Sequence, residues 1–198
     1  NLRGGGEFGE PWHQAGMLEK KQNVFDDFIA AAEWLVANKY TSPAKIAIAG
    51  GSNGGLLVGA ALTQRPDLFG AVVCSYPLLD MVRYHKFLVA RFWVPEYGSA
   101  DDAGQFKYIH AYSPYHNVRP GTKYPAVLMV TGDADTRVDP LHGRKMAALL
   151  QASTGSDRPV LLHYDTKAGH SGGTPLTKQI DDLTDQFSFL FWQLETNR

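Results

Sequence analysis

The chain has 198 residues, 44% hydrophobic and 20% charged, enough for one domain with a substantial core. Lys plus Arg number 19 against 20 Asp plus Glu, a net charge of -1 that argues against nucleic acid or an anionic membrane as partner. One cysteine, Cys74, excludes an intrachain disulfide or a cysteine metal cage, and its apolar run Ala71-Val72-Val73-Cys74 predicts inert burial. With no bilayer-length apolar stretch and no His-Glu-x-x-His pattern, neither membrane, metal nor cofactor is expected, and the chain reads as soluble, cytoplasmic or periplasmic.

The opening Asn1-Leu2-Arg3-Gly4-Gly5-Gly6 lacks an initiator methionine and a signal-peptide pattern, so it reads as joined in midstream. Val24, Phe25, Phe28, Ile29, Ala32, Leu35 and Val36 then recur at helical spacing, predicting an amphipathic helix capped near Asn23. Thr41-Ser42-Pro43 ends it. A strand is expected over 45–49, a Gly-rich turn over 50–55, a helix over 54–64 and a strand over 70–75.

Residues 78–123 lose clear periodicity and are rich in aromatics, which predicts short helices and loops laid over strand ends. Strand 125–131, helix 139–152, strand 160–164 and a closing helix over about 175–194 complete the pattern. Strand–helix alternation implies an α/β fold, a mostly parallel sheet with helices on both faces. Active residues in such a sheet belong at the carboxyl ends of its strands.

Gly50-Gly51-Ser52-Asn53-Gly54 is a Gly-x-Ser-x-Gly pattern between a strand and a helix, the setting of a nucleophilic serine on a strained turn. A serine hydroxyl is a weak nucleophile until a base removes its proton, and that base needs an orienting acid. In α/β-hydrolases these partners follow in the order Ser, acid, His. Of seven histidines, His170 alone follows a core strand among small residues, in Asp165-Thr166-Lys167-Ala168-Gly169-His170-Ser171-Gly172-Gly173. His163 is read as packed or surface-facing within its strand, and His142 as structural at a helix start. His13, His85, His110 and His116 have no strand end just before them. Asp133, Asp135 and Asp139 compete for the acid. Asp139 before Pro140 suits helix capping. Spacing favours Asp135 only slightly over Asp133. The backbone N–H of Asn53 is the natural first oxyanion donor, and no second donor is visible.

Arg3-Gly4-Gly5-Gly6-Glu7-Phe8-Gly9-Glu10-Pro11-Trp12-His13, the Gly-Gly-Ser-Asn-Gly-Gly turn, Gln64-Arg65-Pro66-Asp67-Leu68-Phe69-Gly70 and Asp165-Thr166-Lys167-Ala168-Gly169-His170 closely resemble prolyl oligopeptidase. The resemblance runs over essentially the whole chain. The asparagine after the serine and the Lys-Ala-Gly-His run point to this branch rather than to dipeptidyl peptidase, acylaminoacyl peptidase or oligopeptidase B relatives. It implies the C-terminal portion of an α/β-hydrolase fold, residues 1–198 being the later part of a peptidase catalytic domain. It also implies Ser52 as nucleophile, Asp135 as acid, His170 as base and Asn53 as oxyanion donor. Trp93, Tyr97 and Leu78 match parts of the proline pocket, and Arg137 matches an arginine that bonds a substrate carbonyl. From the residues alone, Trp93 reads as core or lid packing and Arg137 as a surface ion pair with Asp135 or Asp139.

The family's β-propeller, its first sheet strands and the tyrosine that supplies its second oxyanion donor have no counterpart in these residues. Loss of one such donor costs about 2.7–4 kcal/mol, so an isolated fragment is expected to have little activity. The expected function is a serine endopeptidase cutting short peptides on the carboxyl side of proline, with the parent's propeller as partner. A general serine esterase and a non-catalytic binding module are the competing readings.

Overall fold

The computed structural model describes residues 1–170 and 175–195. Four strands form one sheet in the order β1 (Ala47–Gly51), β2 (Ala71–Ser75), β3 (Ala126–Gly132) and β4 (Val160–Asp165), and every neighbouring pair is parallel. The helices are α1 (Glu10–Gln14), α2 (Gln22–Ala37), α3 (Asn53–Gln64), α4 (Val94–Tyr97), α5 (Ala103–Tyr112), α6 (Leu141–Ser153) and α7 (Leu176–Leu194). The expected strands and helices are all present, with bounds moved by about two residues. Ser171, Gly172 and Gly173 lie outside the described residues.

Side-chain alternation along the strands explains the two-sided packing. Val72, Cys74, Val127 and Met129 point to one face, where Ile29 and Ala32 of α2, Val58 and Leu62 of α3, and Met146 and Leu150 of α6 close over them. Ala71, Val73, Ala126, Leu128 and Val130 point to the other, against Phe189 of α7. Each fully buried Leu or Val contributes about 1.5–3 kcal/mol of transfer free energy. The outer side of α7 carries a second apolar stripe, with Leu176, Ile180, Leu183 and Phe187 exposed.

Between β2 and β3 the chain forms a layer over the strand ends, with its own core of Leu78, Met81, Tyr84, Tyr97, Ile109 and Tyr112. That matches the aromatic stretch expected to lie there. No helix among the described residues is long and apolar enough to cross a membrane.

Two local expectations are corrected. Asn23 does not cap α2: Lys21 precedes the helix without a side-chain cap, and Asn23 Nδ2 instead donates to the carbonyl of Ala15 at 2.7 Å. The apolar stripe of α2 is only partly buried. Phe25, Ile29 and Ala32 are in the core, while Leu35 is exposed.

Candidate active site

Ser52 lies in the turn between β1 and α3 with φ 58 and ψ -118, a backbone conformation disfavoured for a residue with a Cβ. Two bonds hold it there. Its N–H donates to the carbonyl of Ser75 at 2.9 Å, and its own carbonyl accepts from Leu56 at 3.1 Å. A Cβ on Gly50 would sit on the carbonyl of Gly54, so the strand can turn this sharply only with glycine at that position. Gly54 itself has open space, so its counterpart in the motif is not sterically required.

His170 arrives from the loop after β4. His170 Nε2 lies 3.1 Å from Ser52 Oγ, and its Nδ1 lies 2.7 Å from Asp135 Oδ2. The Asp135 side chain is fully buried, and its Oδ1 accepts the backbone N–H groups of Arg137 and Val138, both at 2.9 Å. Both carboxylate oxygens are therefore engaged, one by the loop and one by the imidazole. The two loops are themselves joined: Ala134 N–H donates to Ala168 at 3.0 Å, and Asp133 N–H to Asp165 at 2.8 Å. Only glycine at 132 allows this approach, since a Cβ there would meet the Ala168 carbonyl.

The rival candidates go elsewhere. The Asp133 carboxylate accepts from the hydroxyl of Tyr164, and Asp139 Oδ1 accepts from Leu141 N–H at the entrance to α6, a cap-like contact. His163 is half-buried, 3.6 Å from Asp185, and His142 is buried in the core. His13 contacts Glu96, His85 contacts Asp101, and His116 contacts the Ser113 hydroxyl. His110 stacks at a tilt between Phe106 and His116.

Beside Ser52 lies a cavity of about 210 Å³ lined by Ser52, Asn53, Leu78, Trp93, Glu96, Tyr97 and Arg137. It gathers every pocket residue that the resemblance implied. Leu78 and Tyr97 are buried, and Trp93 is half-buried. The Arg137 guanidinium lies 5.6 Å from the centre of the Trp93 ring. No carboxylate among the described residues pairs with it, so the surface ion pair with Asp135 or Asp139 does not form; Asp135 is turned inward by its own loop. Asn53 is the first residue of α3, where a backbone N–H has no partner within the helix and lies at the positive end of the helix dipole.

Three residues were missed from the sequence. Glu96 lines the cavity and is held by Lys21 Nζ at 3.0 Å and His13 Nε2 at 2.8 Å. Burial works against its charge, but Lys21 and His13 outweigh that and keep the carboxyl below its usual range. Val138 is buried in the same cluster as Leu78 and Tyr97. Tyr76, at φ 47, sets its ring edge against His170 at 5.7 Å. Its position at the end of β2 was the available signal. Among the described residues one trio could gather a metal, His163, Asp165 and Asp182, but Lys178 already pairs with both carboxylates.

A prolyl endopeptidase of Elizabethkingia miricola is 46% identical over 195 residues, which cover 98% of this chain and 28% of that protein. Prolyl oligopeptidase A of Amanita bisporigera is 46% identical over 191 residues, covering 96% of this chain and 25% of its own. A solved prolyl endopeptidase matches with TM-score 0.96 and 60% identity, over 98% of this chain and 29% of that one. Prolyl oligopeptidase B from Galerina marginata, bound to a 35mer hydrolysis and macrocyclization substrate, matches with TM-score 0.93 and 43% identity, over 98% and 28%. The chain thus spans little more than a quarter of the length of these relatives. With the family model matching residues 1–197, the chain belongs to the prolyl oligopeptidase family.

Proposed function

We propose that residues 1–198 are the later part of the catalytic domain of a serine endopeptidase that hydrolyses oligopeptides on the carboxyl side of proline. The observation that carries this reading is the continuous relay Ser52–His170–Asp135 opening beside a small pocket walled by Trp93, Tyr97 and Leu78. Ser52 Oγ attacks the scissile carbonyl as His170 Nε2 takes its proton. Asp135 holds the Nδ1–H and stabilises the imidazolium. The developing oxyanion is met by the Asn53 N–H at the head of α3. His170 then protonates the departing amine, leaving an acyl-enzyme, and water reverses the sequence to release the acid.

The proline ring enters the apolar cavity against the Trp93 indole. Its rigid ring loses little entropy on binding, and it has no N–H for the pocket to satisfy. Arg137, free of carboxylates and lying over Trp93, donates to a substrate backbone carbonyl. In this reading the second oxyanion donor, the first sheet strands and a β-propeller that limits access to short peptides come from the parent chain.

The test compares turnover of a Gly-Pro anilide with a Gly-Ala anilide, together with fluorophosphonate labelling mapped by peptide mass. Preference for the proline substrate with a single adduct on Ser52 is expected. Labelling without proline preference would make the protein a general esterase, and no adduct at all would leave a binding module.

A further inference from the structure

His142 occupies the second position of α6, four residues after Val138, and is 2% exposed. Its Nδ1 faces two buried backbone donors at once, the N–H of Asp80 at 3.0 Å and that of Leu79 at 3.3 Å. Only an unprotonated Nδ1 can accept, so the ring is neutral with its proton on Nε2. Burial pushes the imidazole down to about 4, more than Asp80 and Asp139 can offset, which keeps that acceptor in place at neutral pH. The edge of Phe87 packs against the ring at 5.6 Å.

One turn further along α6, Lys145 Nζ takes the Asp80 carboxylate at 2.7 Å. The helix therefore grips the same short segment twice, by its backbone donors and by its side chain. That segment follows directly on Leu78, a wall of the cavity. The helix itself follows directly on the loop of Asp135, Arg137 and Val138. Leu79 and Asp80 are as buried as His142, so an apolar side chain at 142 would take the acceptor away from two buried backbone donors.

We propose that His142 is a positioning residue for the substrate pocket, a neutral acceptor that fixes the Leu78 wall in register with the loop of Asp135 and Arg137. The inference rests on the reading of this cavity as the proline site. It differs from a plain core role in one respect. A core filler could be replaced by an apolar residue of similar size, whereas an acceptor could not.

The experiment measures, in the full-length enzyme, kcat and KM on a Gly-Pro anilide, hydrolysis of a nitrophenyl ester without proline, and the rate of fluorophosphonate labelling of Ser52. His142→Leu is expected to lower kcat/KM for the proline substrate about tenfold, mostly through KM, with ester hydrolysis and labelling changed less than about threefold. His142→Asn sets a carbonyl where Nδ1 stood and is expected to recover proline selectivity to within about threefold of wild type. An unchanged proline-to-ester ratio in His142→Leu, or equal losses in the leucine and asparagine variants, would overturn the inference. Should the leucine variant fail to fold, His142→Gln replaces it, because its amide reaches the Nε2 position instead. Asparagine retaining selectivity while glutamine loses it supports the acceptor role, and equal behaviour overturns it. A wild-type enzyme without proline selectivity would overturn both readings, while a selective enzyme indifferent to residue 142 overturns this one alone.

Discussion

The phenol of Tyr97 donates a hydrogen bond to the side-chain carbonyl of Asn53 at 2.7 Å, joining the wall of the cavity to the residue next to Ser52. Lys21 Nζ lies 5.0 Å from the centre of the same Tyr97 ring while pairing with Glu96. Tyr97 is thus fixed at both ends. Burial raises its hydroxyl well above the ordinary range, so it stays a donor. Tyr97→Phe keeps the ring and removes only this bond. An unpartnered Asn53 is expected to cost about 1–2 kcal/mol, read as a fall in kcat of roughly tenfold with KM little changed. A loss confined to KM would mean that Tyr97 serves the pocket and not the oxyanion donor.

Ser52→Ala removes the atom His170 faces at 3.1 Å. Turnover is expected to fall by about 10⁶-fold with peptide binding retained, because triad members act as a unit. Progress curves with active-site titration check this, and turnover near wild type would end the mechanism.

Trp93→Ala removes the indole that faces the cavity and supports the Arg137 guanidinium. Stacking and burial together are expected to cost about 2 kcal/mol on proline substrates, roughly thirtyfold in kcat/KM. Non-proline esters should lose far less. Equal losses on both substrates would remove the stacking role.

Acid should weaken the fold before the carboxylates titrate. The imidazole of His142 is depressed in the native state from 6.5 to about 4, so between those values the unfolded chain binds a proton that the native chain does not. Stability is expected to fall as pH drops from about 6.5 to about 4, by about 3 kcal/mol, and this contribution then levels off. Below that, Glu96 and Asp80 continue the decline, since each is held below its usual range and its stabilisation is lost as it protonates. Urea midpoints measured against pH check the first window. His142→Asn should flatten it, and an unchanged slope would assign the effect to another group.

Cys74 is fully buried on β2, its thiol donates to the Gly55 carbonyl at 3.4 Å, and burial pushes it far up. It should resist iodoacetamide in the native state and react fully once unfolded. Modification at native pH without loss of structure would contradict the packing of α3 on β2.

The alternation of apolar strands with amphipathic helices made the order of elements legible, because each pattern reflects which face of a single segment is buried. The Ser52 turn was legible for the same local reason: a strand, a glycine-flanked serine and a helix lie within about 20 consecutive residues. The pocket was not. Trp93 and Arg137 are 44 positions apart, one in the stretch without periodicity and the other in the loop after a strand, and from the residues alone they read as core packing and a surface ion pair. The resemblance to a family supplied what spacing could not.

The sequence by itself determined that a glycine-flanked serine stands between a strand and a helix and that His170 follows a core strand. Spacing left open which carboxylate meets that histidine; the resemblance implied Asp135, and the tertiary structure is where its carboxylate reaches His170. Asp133 and Asp135 leave the same strand two residues apart, yet one turns to Tyr164 and the other inward to His170. The relay joins residues separated by 35 and 118 positions. Such contacts are set by how parallel strands stack their carboxyl ends and by how closely the loops approach over Gly132, and no local pattern in the chain encodes either.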